Sequence, residues 1–142
     1  MVPHREAGGG EDPRHQARER ALALLYESEL KGEAPTAVLA GLAAAPDPLA
    51  RELVEGVAAH GARIDELVAS AAVGWDIERM PVVDRSILRL ATYELLERLD
   101  TPVAVVIDEA VELAKEYSTE QSSGFVNGVL VTIAGRVRPS PD

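Results

Sequence analysis

The stretch that decides the fold of this chain is EAVELAKEYSTEQSSGFVNGVL, from Glu109 to Leu130. In its first half, and just before it, apolar side chains recur at three- and four-residue steps: Val103, Val106, Ile107, Ala110, Leu113, Ala114 and Tyr117. This spacing predicts one apolar face of an amphipathic helix. The acidic side chains fall mostly on the opposite side, at Asp108, Glu109, Glu112 and Glu116. They predict a solvated helix face, with a docking face for a basic partner as the alternative.

The second half of the stretch is compatible with a hairpin or with a helix. Asn127-Gly128 between apolar residues favours a two-residue turn, because both residues tolerate a positive φ. A helical stripe fits as well, through Phe125, Val126, Val129, Leu130 and Ile133. A lone hairpin is marginally stable without further strands, so we predict a helix. Within that helix, Gly128 would let a neighbouring backbone approach closely, and Asn127 would form a hydrogen bond across the bundle.

Helical periodicity also runs through the rest of the chain from Pro13 onward, with a boundary at Gly74-Trp75-Asp76. Trp75, the only tryptophan, is expected to fill the joint between the helices on either side. The prediction is an all-α fold of about six to seven helices in two small bundles packed together. Its parts are a flexible N-terminal arm over 1–12, one helical domain over 13–138 with bundles at 13–73 and 75–138, and a tail over 139–142.

Composition excludes several classes of protein. The chain has 142 residues, no cysteine and a formal net charge of −10. The lack of cysteine excludes disulfides and thiolate metal sites, and none of the three histidines has a second one at helical metal-site spacing. We therefore expect no metal, no cofactor and, since no catalytic signature occurs, no enzyme. Without an apolar run long enough for a signal peptide or a membrane span, a cytoplasmic protein with no membrane partner is expected.

A small basic island opens the first helix of this acidic chain, where Arg14, Arg18 and Arg20 accompany one acid, Glu19. The overall charge argues against general polyanion binding, so any nucleic-acid site must be local. Cations at a helix N-terminus oppose the macrodipole, so helix stability does not explain these arginines. They are either ordinary surface side chains or phosphate contacts.

Four ordered blocks carry a family resemblance: HQARERALALLYE, GWDIERMPVVDRSILRLATYELL, TPVAVVIDEAVELAKEYS and GFVNGVL. Together, from about Arg14 to Ile133, they resemble the NusB transcription antitermination factors. The resemblance implies two helical bundles that meet near Trp75, and a function without catalysis. Such factors pair with a small-subunit ribosomal protein known as NusE and bind the boxA sequence in nascent leader RNA. The RNA polymerase antitermination complex then reads through terminators in ribosomal RNA operons.

The resemblance also assigns roles to individual residues. It implies RNA contacts by the start of the first helix and by one aromatic that can stack on an unpaired base: Arg14, His15, Arg18, Arg20 and Phe125. Asp84 and Tyr26 match positions near the NusE interface. The acids of the N-terminal arm, and Gly124 in place of a lysine, imply weaker intrinsic RNA binding. That binding would depend more on the partner or on Arg136 and Arg138.

Two other functions remain compatible with the sequence. One is a helical homodimerising or scaffolding module without an RNA role, because apolar stripes on several helices permit a homodimer and the acidic composition suits it. The other is a stand-alone remnant of an RNA-modifying enzyme. A related helical domain precedes the methyltransferase domain of some ribosomal RNA cytosine methyltransferases, and no such domain is expected here.

Overall fold

A computed structural model describes residues 12–139, so the predicted arm, except Asp12, and the last three residues of the tail lie outside the described residues. Between these limits the chain forms seven α-helices: α1 Pro13–Lys31, α2 Pro35–Ala40, α3 Pro48–Ala59, α4 Gly61–Ala71, α5 Val82–Glu97, α6 Val103–Tyr117 and α7 Glu120–Val137. A short 3-10 helix, Ile77–Arg79, lies between α4 and α5. The all-α prediction is confirmed. None of the described helices combines the length and the apolar character that a membrane crossing requires.

Capping residues define the ends of the helices that matter most for the site. Asp12 precedes α1 and accepts a hydrogen bond from the backbone N–H of Arg14 at 2.9 Å. Thr119 does the same for α7, accepting from the N–H of Ser122 at 2.9 Å. These caps satisfy backbone donors that have no partner inside the helix. At its other end α1 stops at Gly32, whose φ of 66° few other residues adopt without strain.

The helix prediction for the second half of the opening stretch is confirmed, since α7 runs unbroken through Asn127 and Gly128. The expected close approach of a neighbouring backbone to Gly128 is wrong. Apart from the neighbours of Gly128 along α7, no heavy atom of the described residues lies within 4 Å of where its Cβ would be, and Asn127 is exposed instead of bonded across the bundle. The pair faces solvent because the core-facing stripe of α7 lies on the other side, at Val126, Val129, Leu130 and Ile133.

The apolar face predicted for α6 is buried as expected, at Val106, Ile107, Ala110, Leu113 and Ala114. The central element, however, is α5, which packs against α1, α3, α4, α6 and α7. Its close fit with α3 is seen at Gly56, where an added Cβ would lie 2.2 Å from the ring of Tyr93. The buried apolar side chains form one core cluster that includes residues of all seven helices. The division into bundles at 13–73 and 75–138 stays a prediction.

Ion pairs on the C-terminal half of α1 help to fix α5 against its neighbours. Glu29 accepts hydrogen bonds from Arg85 Nε at 2.6 Å and from Arg89 Nη1 at 2.7 Å. Arg89 Nε also donates to Asp65 of α4 at 2.9 Å. The hydrogen bond from Arg85, with Arg89 adding to it, outweighs burial and lowers the pKa of Glu29 below its ordinary 4.5. One charged network therefore joins α1, α4 and α5.

Candidate RNA and partner interface

Two of the predicted RNA contacts, Arg14 and Arg20, are exposed on α1. Among the described residues, neither guanidinium takes part in an ion pair. At 100° per residue they project about 120° apart around the helix axis. They can therefore meet a phosphate chain that wraps α1, but they do not form one compact clamp.

Arg18 lies on the inner side of the same helix and is 3% exposed. Its Nε and Nη2 each donate to a carboxylate oxygen of Glu94 on α5, both at 2.8 Å. Burial alone would lower the pKa of Arg18, but the hydrogen bonds and charge of Glu94 raise it above its ordinary value. The result is a charged, bidentate pair in the core. The structure thus places Arg18 against another helix and away from the solvent side of α1.

His15 is also buried, at 5% exposure, and is surrounded by acids. Its Nδ1 lies 2.6 Å from Glu109 Oε2 on α6. Its Nε2 lies 3.6 Å from Glu19 Oε2 and 3.5 Å from Glu116 Oε1. Burial would lower the pKa of His15, but the hydrogen bond with Glu109 and the charges of the three acids raise it above 6.5. RNA contact by His15 and Arg18 stays a prediction, because both face internal partners.

These contacts correct the interpretation of the acidic face of α6. Glu109 and Glu116 are partly buried against α1, whereas Asp108 and Glu112 are exposed. One part of this acidic face, Glu109 and Glu116, therefore packs against α1, and the other part, Asp108 and Glu112, is exposed to solvent. Nothing in the local spacing distinguishes the two halves, because the difference arises from where α1 packs.

Trp75 and Phe125 form a surface aromatic pair. Their ring centroids are 5.3 Å apart with an interplanar angle of 56°, a tilted arrangement that aromatic pairs favour. Trp75 is 58% exposed, so the prediction that it fills a joint is wrong. It follows Gly74, whose φ of 85° turns the chain between α4 and the 3-10 helix. Phe125 is the stacking aromatic predicted from the sequence, whereas the contact between its ring and Trp75 was not predicted.

Asp84 is buried at the start of α5, where it accepts hydrogen bonds from Ser118 Oγ at 2.7 Å and Ser122 Oγ at 2.8 Å. A carboxylate in the first turn of a helix is also favoured by the helix dipole. Asp84 thereby fastens the junction between α6 and α7. Tyr26, the other predicted partner contact, is exposed on α1.

The two C-terminal arginines proposed as additional RNA contacts are engaged within the chain. The Arg138 guanidinium donates to backbone carbonyls at the end of α5, namely Glu94 at 2.8 Å, Leu95 at 2.9 Å and Arg98 at 2.7 Å. It therefore ties the end of α7 to the C-terminus of α5, where the carbonyls of Glu94 and Arg98 also accept from the backbone N–H groups of Arg98 and Thr101. Arg136 Nη1 donates to Ser70 Oγ at 2.6 Å but remains exposed.

A family model described as the NusB family matches residues 15–135. The chain belongs to the NusB family. This confirms the identification made from the four sequence blocks. Because NusB proteins are RNA-binding transcription factors, membership also confirms the prediction that the chain is not an enzyme.

The alignments with individual relatives cover most of this chain and most of each relative. The chain is 54% identical over 128 residues to the transcription antitermination protein NusB of Saccharopolyspora erythraea, covering 86% of each chain. It is 37% identical to the T. maritima NusB structure, with a TM-score of 0.81, covering 91% of this chain and 95% of that one. NusB in a solved complex of antitermination factors NusB and NusE with dsRNA is 30% identical, with a TM-score of 0.73 and coverages of 87% and 96%.

Proposed function

We propose that this chain is a transcription antitermination factor that binds boxA-type single-stranded leader RNA together with the small-subunit ribosomal protein NusE. It acts in the cytoplasm, within the RNA polymerase antitermination complex, and promotes read-through of ribosomal RNA operons. The observation that carries this proposal is the NusB family match over residues 15–135. The likeness to NusB in a solved complex with NusE and RNA supports the choice of partners.

The RNA surface that we propose combines charge with an aromatic platform. Arg14 and Arg20 supply phosphate contacts, and Trp75 with Phe125 offers a face on which an unpaired base can stack. Tyr117, the last residue of α6, connects these regions, because its hydroxyl donates to Glu19 of α1 at 2.5 Å. This bond holds the α6–α7 junction beside the second turn of α1.

We assign His15 and Arg18 a supporting role in this surface. Direct phosphate contact would require Arg18 to leave Glu94 and His15 to leave Glu109, in both cases exposing a carboxylate that repels RNA. By staying in place, the two side chains fix α1 against α5 and α6. Arg14 and Arg20 are then presented on a rigid helix.

The NusE surface is proposed to include Tyr26, whose ring is accessible on α1. Asp84 has no comparable access, so it contributes indirectly by fixing Ser118 and Ser122 at the α6–α7 junction. If this is correct, replacing both serines by alanine lowers NusE affinity about as much as Asp84→Ala. An effect of Asp84→Ala alone would instead indicate a direct contact.

The decisive experiment measures RNA binding by the purified chain with NusE, using a boxA-type RNA and a scrambled RNA of equal length. We expect preference for boxA. Equal binding of the two RNAs would refute the proposal.

A second measurement locates the phosphate contacts. Arg14→Ala with Arg20→Ala should weaken binding and reduce the salt slope by about 1.4, at about 0.7 per single-stranded phosphate contact. The matched control is Arg51→Ala with Arg63→Ala, which removes two exposed arginines from α3 and α4. An unchanged salt slope in the α1 variant would exclude these contacts.

A further inference from the structure

We propose that His15, Glu19 and Glu116 form a binding site for one divalent transition-metal ion of the zinc class, which fastens α1 to α6. Three ligand atoms converge there: His15 Nε2, a Glu19 carboxylate oxygen and a Glu116 carboxylate oxygen. All three lie within 4.8 Å of one another. The inference rests on this geometry and does not depend on the RNA function.

The separations between these atoms suit a metal better than a direct hydrogen bond. His15 Nε2 is 3.6 Å from the Glu19 oxygen and 3.5 Å from the Glu116 oxygen. Ligands bound at about 2.0–2.1 Å in a tetrahedral site lie roughly 3.4 Å apart. Small side-chain adjustments would therefore bring the three atoms around one ion.

An unpartnered buried nitrogen points into this site. His15 Nε2 is inaccessible to solvent and has no hydrogen-bond partner among the described residues. Buried polar atoms in native proteins almost always have a partner, so each exception calls for an explanation. Here a cation between the nitrogen and the two carboxylates supplies one. The competing occupant of the same position is a proton on Nε2.

The groups around the site resemble the outer shell of known metal centres. Glu109 Oε2 lies 2.6 Å from His15 Nδ1. A hydrogen bond from Nδ1–H to this carboxylate leaves the lone pair of Nε2 facing the two acids, as in carboxylate–histidine–zinc arrangements. Tyr117 donates its hydroxyl proton to Glu19 Oε2 at 2.5 Å, which orients that carboxylate as well.

The donor set indicates the class of ion. One imidazole nitrogen and two carboxylate oxygens suit Zn²⁺, Co²⁺, Mn²⁺ or Fe²⁺ better than Mg²⁺ or Ca²⁺, which prefer oxygen ligands alone. Three protein ligands leave a further position for water. The expectation of no metal rests on the lack of cysteine and on the spacing between histidines. This site instead combines His15 with Glu19, one helical turn away, and with a glutamate from another helix.

The test uses the full chain after removal of metals with a chelator, titrated with Co²⁺ and followed by visible absorption. We expect one equivalent of Co²⁺ to produce the intense d–d bands of a four- or five-coordinate ion, and Zn²⁺ to displace it. His15→Asn and Glu116→Gln should each weaken binding by about tenfold or more. The matched controls His60→Asn and Glu55→Gln should bind as the parent chain does.

A measurement on the unaltered chain keeps the proposal testable if a variant does not fold. Histidine side-chain nitrogen shifts, followed by nuclear magnetic resonance during Zn²⁺ addition, should move for His15 Nε2 and stay constant for His4 and His60. Absence of the Co²⁺ bands, binding that survives both site variants, or a shift confined to the other histidines would each overturn the proposal. In those cases Nε2 holds only a proton.

Discussion

The first half of α1 and the turn at Trp75 place their side chains in opposite ways. On α1, Arg18 and His15 are buried although both are polar, whereas Trp75 is apolar and 58% exposed. The difference lies in what neighbouring elements offer. Helices α5 and α6 supply carboxylates that match the cations of α1, while the turn after α4 places Trp75 beside the ring of Phe125 at the surface. At these positions, burial follows the partners that neighbouring helices supply and not the polarity of the residue.

The buried ion pair and the exposed aromatic pair contribute to different properties of the molecule, the first to stability and the second to binding. A buried ion pair holds the fold, because removal of one partner leaves the other charge without compensation in the interior. An exposed aromatic pair adds less to stability and leaves a large apolar surface open to a ligand. The buried cations should therefore affect folding, and the exposed rings should affect binding.

The largest expected effect comes from Arg18→Met, which removes the bidentate partner of Glu94 in the core and leaves the longer 3.9 Å contact between Glu94 Oε1 and Arg98 Nε. We expect the free energy of unfolding, measured by urea denaturation, to fall by about 3–5 kcal/mol. The control Arg63→Met, in an exposed pair with Glu66, should change it by under about 0.5 kcal/mol. A loss under about 1 kcal/mol for Arg18→Met, with strongly weakened RNA binding, would instead make Arg18 an RNA contact. Arg18 and Trp75 would then no longer differ in role.

Trp75→Ala should weaken RNA binding more than it lowers stability. Loss of the aromatic pair should cost about 0.5–1.5 kcal/mol of stability. Loss of a stacked base should cost about 1–3 kcal/mol of RNA affinity in the presence of NusE. Leu99→Ala removes another exposed apolar side chain and is the control for both measurements. Unchanged RNA affinity in Trp75→Ala would remove the aromatic pair from the proposed surface.

A lower pH should weaken the ion pairs that Glu29, in the C-terminal half of α1, forms with Arg85 and Arg89. The pKa of Glu29 is lowered in the folded chain by Arg85 and Arg89, so its stabilising effect is complete above 4.5 and is lost as the pH falls through the folded value. The stability difference between the parent chain and Glu29→Gln should therefore shrink on acidification below pH about 4.5. Urea denaturation between pH 6 and pH 3 measures it. A constant difference across that range would contradict the assigned pairing.

The helices could be predicted from the sequence because their signals are local. The apolar period of α6 and the apolar stripe of α7 both lie within a few turns of the structure they specify. The aromatic Phe125 was found by its place in a motif. None of these predictions required knowledge of which helices pack together.

The polar contacts could not be predicted in the same way, because they join distant parts of the chain. His15 and Glu109 are 94 positions apart, and Arg18 and Glu94 are 76 apart. Periodicity shows that Arg18 shares a face with Arg14, but not that this face meets α5. The prediction that Trp75 fills a joint was wrong for a related reason, since the exposure of Trp75 depends on the direction of a turn after Gly74.

The smallest expected effect concerns Gly128, which lies on the same helix as Phe125 but faces solvent. Because no other part of the described structure comes within 4 Å of an added Cβ there, Gly128→Ala should raise the free energy of unfolding by about 0.5–1 kcal/mol through better helix propensity. Gly56→Ala is the contrasting variant, since its Cβ would overlap the Tyr93 ring and should destabilise the chain by about 1–3 kcal/mol. Unchanged NusE and RNA affinity in Gly128→Ala would confine the binding surface of α7 to the Phe125 side. Weaker binding, despite the gain in stability, would extend that surface across the glycine.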